Sequence, residues 1–573
     1  MRITALLTIL LLTVGFAINT RKATKTYPQT YFRSPVDQPI RLSGTFGELR
    51  PNHLHAGIDI KAKDGKNGQP LYAVADGYIA RIKVQSGGYG NVLYIVHPNG
   101  YMSVYAHMQN FEKRVADYVK KSQYKKQSFG VDLYLNAQTF PVRKGEKIGN
   151  LGTSGRSFGP HLHFEIRDNK TQKPINPLLF GLKMQDDVRP KLHNVKIYHL
   201  NDKLETIDEK IHSLVKKGGG QYGVRGDTLA IGAWRAGFGI KVYDHHNGVS
   251  NWNGIYALEM YQDDRLIHAF DMETFSFGES RYMNAHIDYG EQKLNKAYYN
   301  RSYKLPGNRL SIYEKNEGVV TLHKAVPSKI KVIAFDVDGN KSTLEFWVKR
   351  ADVNPADSGG YNYALLYDRS NTIDNGSLKA VFPKGTFYEN VYLDYSTSSD
   401  NSDDIYSDMY SLHNVSIPVH KYYNLSIKAD GLPENLRNKA FLAFCDEKNR
   451  VHNAGGKYKD GYITGKVRSL GDYCIMVDNV RPTITPISFR KDMRGRSKMT
   501  FKINDDRSTT GKGRSLSYKA TVDGQWILMQ YDEKNDLLIH RFDERIASGE
   551  HTLKLTVRDD RGNRATYERS FIR

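Results

Sequence analysis

Cysteine is almost missing from this chain: Cys445 and Cys474 are the only two among 573 residues. So few thiols exclude a disulfide-built scaffold; in an exported chain the two can pair within their own unit or stand as separate buried thiols. Long apolar runs are missing too. After the first 20 residues no segment is apolar enough to span a bilayer, which excludes a membrane protein of several spanning helices. Acidic residues are in deficit, 62 against 83 Lys and Arg, for a formal charge of +21. Such a balance points to nucleic acid in a cytosolic protein, but export removes that partner. Wall carboxylates, acidic wall polymers and lipid headgroups are what remain, beside a plain solvated basic surface.

The export signal is what the N-terminus does have. MRITALLTILLLTVGFAINT begins with Arg2, continues apolar from Ala5 to Ala17 and offers Gly15 and Ala17 to a small-residue cleavage site. Residues 1–20 therefore read as a signal peptide, with an uncleaved anchor as the alternative. The length exceeds one hydrophobic core, so three or four domains are expected. Residues 21–45 form an N-terminal segment; if it occludes a groove, trimming to about residue 40 should raise activity.

Residues 46–185 alternate in short apolar stretches between glycine turns. The stretches 71–84, around Asp76-Gly77, and 90–108, around Asn99-Gly100, read as hairpins. A polar stretch at 110–128, rich in lysine, reads as a short helix. DDVRPKL (186–192) returns as DNVRPTI (478–484), and the ending DVDGN (336–340) returns as DDRGN (559–563). These shared entrances and exits mark two β-units, 187–350 and 479–573, with the look of immunoglobulin-like sandwiches. Residues 351–374 read as a linker and 375–477 as a further β-rich module. The fold class is mainly β.

The chemistry concentrates in GPHLHFEI (159–166). Residues two apart on a strand share a face, so His161 and His163 present two imidazoles side by side. A bare His-x-His weighs little in a chain with 19 histidines, and His53-Leu54-His55 is a second one. HAGID adds more: His55 and Asp59 form the only His-x-x-x-Asp, with Gly57 free to permit a bend. Two neutral imidazoles and one carboxylate leave a divalent metal site at net +1, electrophilic enough to polarise a carbonyl. His163 is the natural third ligand, His161 is then free to move protons, and His107 ends another strand. Glu165 shares their face and either holds a histidine from behind or is an ordinary surface glutamate, the plainer reading. His245-His246 reads as a surface turn. The lysines of 110–126 read as a solvated face that could also meet substrate carboxylates.

FGELRPNHLHAGIDIKA (46–62), YAHM (105–108), KGEKIGNLGTSG (144–155) and GPHLHFEI (159–166) together resemble the lysostaphin/LytM-type zinc metalloendopeptidases, over about residues 40–180. The resemblance implies an antiparallel β-sheet whose groove binds a wall peptide over one Zn²⁺. It implies His55, Asp59 and His163 as metal ligands, His161 as general base and His107 as second catalytic histidine. The insertion at 110–140 departs from the smallest members and bears on substrate preference. The expected function is an exported zinc endopeptidase that cuts cross-links or stems of bacterial peptidoglycan, in the periplasm, envelope or outside. Its partners would be peptidoglycan peptides and, through the β-modules, envelope proteins. The alternatives are a non-catalytic wall-binding or amidase-activating module, and the same zinc chemistry aimed at a secreted glycine-rich protein.

Overall fold

Period-two alternation builds the sheet that carries the histidines. In the strand His161–Asp168, Leu162, Phe164 and Ile166 are wholly buried on one face, which turns His161, His163 and Glu165 to the other. The computed structural model describes residues 25–573 except 183, 325, 353–359, 400, 401, 403, 447, 449 and 508–515; the expected signal peptide lies outside the described residues.

The principal strands of this sheet are β1 (Leu42–Gly44), β2 (Ile58–Lys61), β3 (Gly77–Val84), β4 (Asn91–Val96), β5 (Tyr101–Ala106), β6 (Val131–Tyr134) and β7 (His161–Asp168). They pair in the order β1-β2-β7-β5-β4-β3-β6, antiparallel throughout. β7 is central, between β2 and β5, and so brings His163 beside Asp59, 104 positions earlier in the chain. A small sheet of Pro70–Tyr72, Lys147–Leu151 and Met108–Phe111 lies beside it. Leu71, Ile95, Tyr105, Ile148 and Phe164 belong to one core.

The hairpin around Asn99-Gly100 is present as β4–β5. The one around Asp76-Gly77 is not: Pro70–Tyr72 pairs with Lys147–Leu151 while β3 pairs with β4. Buried Ala73, Val74 and Ala75 carry the chain from one sheet to the other, so alternation on both sides of a turn did not mean pairing across it. The helix α1 (Lys113–Lys126) buries Val115 and Val119. Its basic face meets another part of the chain, with Lys120 Nζ 2.6 Å from Asp543 and Tyr124 edge-on to Trp526.

Beyond residue 190 the regular structure is mainly strand, with two short helices at Met283–His286 and Tyr289–Asn295. A twelve-stranded sheet spans 191–350, two five-stranded sheets lie within 371–477, and two four-stranded sheets lie within 483–572. The stretch expected as a linker holds two strands, Tyr363–Leu365 and Asn371–Asp374, which pair with Val391–Leu393 and Leu378–Phe382. Their length of three and four residues hid them, because partners elsewhere supply the pairing. Cys474 lies opposite Ala443 on the strand that also carries Cys445. Both flanks of the first unit are covered: Lys61 Nζ bonds Asn251 Oδ1 at 2.8 Å, and Lys534 Nζ bonds the Ser157 carbonyl at 3.0 Å.

The segment before β1 is built into the core. Tyr27, Phe32 and Val36 are buried, Tyr27 Oη donates to Glu273 at 2.7 Å, and Phe32 packs on His97 and Phe180. Removing residues 25–39 is therefore expected to destabilise the protein, at about 1.5–3 kcal/mol for each large apolar side chain lost. Denaturant unfolding of the truncated chain measures this; a truncated protein that keeps its stability and gains activity would restore the idea of an occluding segment.

Candidate active site

The register of β7 sets the site. His163 lies directly opposite Asp59 on β2 and opposite Ala106 on β5. Opposed residues share a face, so the Asp59 carboxylate and the His163 imidazole meet at 3.0 Å, Oδ1 to Nδ1. His55 enters from the segment before β2. Gly57 lets that segment lie tightly on β7, since a Cβ there would stand 2.4 Å from the Phe164 carbonyl oxygen. His55 Nε2 ends 2.9 Å from His163 Nδ1 and 3.1 Å from Asp59 Oδ1.

Three electron-pair donors thus form a nearly equilateral triangle, all buried. The outer ring nitrogens fix the tautomers. His55 Nδ1 lies 2.7 Å from the Thr45 carbonyl and donates to it; His163 Nε2 lies 2.8 Å from Glu165 Oε1 and donates to it. In the neutral rings the inner nitrogens then carry lone pairs toward each other and toward Asp59. Such an arrangement repels itself unless a positive charge, a proton or a metal ion, sits between the three. The electrostatics agree. Burial alone would lower His163, yet Asp59 and Glu165 outweigh it and raise His163 to about 9. Burial would raise Asp59, yet His55, His163 and Arg50 hold it well below the usual carboxylate range. Burial lowers His55 to about 4. A positive charge is wanted at this point, and tetrahedral ligation spaces such donors about 3.3 Å apart.

Two more imidazoles flank the triangle. His161 Nδ1 donates to the Gly159 carbonyl at 2.9 Å, leaving Nε2 3.6 Å from Asp59 Oδ1. His107 follows β5 at φ +59°, a left-handed conformation that swings its ring inward. Its Nδ1 donates to the Ser154 carbonyl at 2.8 Å, and its ring stands 4.8 Å from that of His161. Burial, with neighbouring imidazoles, lowers His107 to about 3; burial also lowers His161. Both present unprotonated Nε2 atoms to a cleft of about 570 Å³ lined by Arg50, Asp59, His107, Arg156, Phe158 and His161. All five residues expected from the sequence are brought together; His53 is exposed, with Nδ1 3.0 Å from the Pro51 carbonyl.

Sequence reasoning missed the supports. Glu165 is not a surface residue. It is fully buried and takes hydrogen bonds from His163, from Arg167 Nε at 2.5 Å and from the Tyr89 hydroxyl. Arg50 reaches Asp59 Oδ2 at 2.6 Å. The alternation of His161, His163, Glu165 and Arg167 was the available signal for the first group. Nothing in the sequence marked Tyr89 or Arg50. His246 is likewise no surface residue: it is buried, 2.7 Å from Asp186.

Comparison with known proteins finds matches to two parts of the chain. Residues 53–124 and 133–177 match peptidase family M23, and residues 362–478 match a Zu5-like domain. Over 147 residues the chain is 37% identical to the DD-carboxypeptidase/endopeptidase Mpg of Neisseria meningitidis, covering 25% of this chain and 27% of that protein. It is 27% identical over 188 residues to the peptidoglycan DD-endopeptidase ShyC of Vibrio cholerae, covering 31% of this chain and 36% of the other. It is 32% identical over 116 residues to the lipoprotein NlpD of Yersinia enterocolitica, covering 20% of this chain and 93% of the other. Sheet, cleft and matches together define a peptidase-type unit near the N-terminus. The chain belongs to peptidase family M23, of the LytM type.

Proposed function

We propose that this protein is an exported zinc-dependent endopeptidase that hydrolyses peptide bonds in bacterial peptidoglycan cross-links or stems. The observation that carries the proposal is the lone-pair triangle of His55 Nε2, Asp59 Oδ1 and His163 Nδ1, with edges of 2.9–3.1 Å. Two imidazoles and one carboxylate suit Zn²⁺, and these three residues would hold it. Bound there, zinc would supply Lewis acidity that polarises a carbonyl and lowers the pKa of water to about 7.

The chain's own groups divide the remaining work. The Gly159 carbonyl fixes the His161 ring so that Nε2 is the basic atom, placed to take the proton of an attacking water. His107, held in the same tautomer by Ser154, accepts a hydrogen bond and orients that water. Only after His161 has gained a proton can it serve as the acid that returns one to the leaving amine. Arg50 is held by Glu48 and Asp59; Lys61 and Arg156, the latter 3.4 Å from Glu533, also line the cleft and bring positive charge that suits the carboxylates of wall peptides. The substrate class also rests on ShyC, a relative named as a peptidoglycan DD-endopeptidase, of which this chain covers only 36%. Residues 1–20 act as the export signal, 46–185 as the peptidase domain, and the later β-units, including immunoglobulin-like ones, as envelope-facing modules. Among the described residues no helix is long and apolar enough to cross a membrane.

Substituting His161→Ala tests the assignment. It is expected to leave zinc bound and to cut fragment release from isolated walls by about 10²–10⁴-fold. Because the His161 pKa is lowered, the acid limb of kcat/KM in the wild type is expected below pH 6.5, falling as the ring gains its proton. Wall binding with no metal-dependent turnover in either protein would instead establish a binding module.

A further inference from the structure

The duplicated entrance and exit motifs meet in space. In the first copy, Asn340 N–H donates to Asp336 Oδ1 at 2.8 Å and Asn340 Nδ2 donates to the Asp186 carbonyl at 3.1 Å. In the second, Asn563 N–H donates to Asp559 Oδ1 at 2.7 Å and Asn563 Nδ2 donates to the Asp478 carbonyl at 3.0 Å. The same clasp therefore closes both units. Each copy adds an aspartate that directly follows a strand: Asp244 after Arg235–Tyr243, and Asp505 after Lys498–Asn504. Asp186, Asp244 and His246 converge in the first copy, and Asp478, Asp505 and Asp559 in the second, with ligating atoms within 4.8 Å of one another.

The copies differ in counter-charge. In the first, His246 Nδ1 stands 2.7 Å from Asp186 Oδ2, so a protonatable ring sits among the carboxylates. In the second, the corresponding position two residues after the strand-end aspartate is Arg507, whose guanidinium turns to Asp404 and Asp506 at 3.5 and 3.9 Å. Lys439 is engaged by Asn563 and the Arg561 carbonyl. Arg561 is engaged by Asp560 and the carbonyls of Ala440 and Gly456. Among the described residues, no Lys or Arg forms an ion pair with Asp478 or Asp559. Both are deeply buried, at 1% and 7% exposure, and each keeps one carboxylate oxygen, Oδ2, without a hydrogen-bond partner. A buried carboxylate left so is unfavourable unless something positive completes it.

We propose that Asp478, Asp505 and Asp559 form a second metal site, which binds a hard divalent cation, Ca²⁺ in preference to Mg²⁺. The donors are all oxygen, and three carboxylates around one point suit the larger ion, since Mg²⁺ keeps several waters and takes one or two carboxylates. Asp478 ends the unit that precedes the C-terminal one. Asp505 and Asp559 follow strands in its two different sheets. One ion there ties both sheets to their neighbour. Burial first, and the other carboxylates second, raise Asp478 to about 6 and Asp505 to about 7, in keeping with crowded negative charge.

The test uses the full-length protein, passed over chelating resin and resupplied with zinc. Equilibrium dialysis with radioactive Ca²⁺ is expected to show a bound ion that the Asp478→Asn/Asp559→Asn double variant loses. Added Ca²⁺ is expected to raise the Tm of the wild type by several degrees and leave the variant's unchanged. Without Ca²⁺ the variant is expected to melt at or above the wild type, because two crowded buried charges are gone. Should the double variant not fold, Asp505→Asn alone carries the same comparison. No Ca²⁺ binding by the wild type, or binding that persists undiminished in the variant, overturns the proposal.

Discussion

Substituting His163→Ala is expected to remove the bound metal and hydrolysis together. Metal analysis should fall from about one zinc per chain to none, and fragment release from walls should fall to the background without enzyme. Two donors, His55 and Asp59, remain, but a two-donor site on an otherwise fixed sheet offers no third arm of the triangle. The same change also removes the donor that satisfies Glu165 Oε1 from that side. Asp59→Ala is expected to do the same for a different reason, since it also strands Arg50, whose guanidinium lies 2.6 Å from the lost carboxylate. The contrast with His161→Ala decides between roles: a ligand variant loses metal and turnover, whereas a proton-handling variant keeps metal and loses turnover. If the His163 variant retains stoichiometric zinc, the triangle is not the metal site.

What the sequence made legible was local geometry. The two-residue period of a strand placed His161 and His163 on one face, and the structure puts both beside the Asp59 carboxylate. The four-residue step from His55 to Asp59 needed a bend, and Gly57 supplied the room. What stayed hidden was whatever a distant residue decides. Glu165 had the right parity, but its burial depends on Tyr89, 76 positions away, and on Arg167 folding back over it. His246 read as a turn residue because its partner, Asp186, lies 60 positions earlier. Asp76-Gly77 looked like a hairpin turn because alternation flanks it, yet alternation fixes only which side chains face inward, not which strand lies alongside. The repeated Asp-x-Val-Arg-Pro and Gly-Asn motifs were visible as punctuation. Their meeting around Asp505 was not, because that aspartate carries no motif of its own.

Glu165→Gln is expected to weaken the site without touching a metal ligand. The wild-type carboxylate accepts from His163, Tyr89 and Arg167 and is wholly buried. An amide of the same shape cannot neutralise Arg167, and its NH₂ must face at least one group that itself donates. Breaking a buried ion pair in this way costs about 3–5 kcal/mol. Losing the acceptor that orients a ligating imidazole lowers metal affinity by about 10–100-fold. The pH dependence gives an independent handle. Burial would raise the Glu165 pKa, but Arg167 and His163 outweigh it and lower it from 4.5 to about 2. A depressed carboxyl pKa contributes stability that is fully present above pH 4.5 and is lost as pH falls from 4.5 through about 2. In metal-free protein the wild type should therefore lose stability across that window, and Glu165→Gln should lack that contribution. Zinc competition against a chromogenic chelator and urea unfolding from pH 2 to 7 measure both effects. Equal zinc affinity and equal stability at neutral pH in the two proteins would mean that Glu165 merely fills space behind His163, and that the imidazole is oriented by β7 alone.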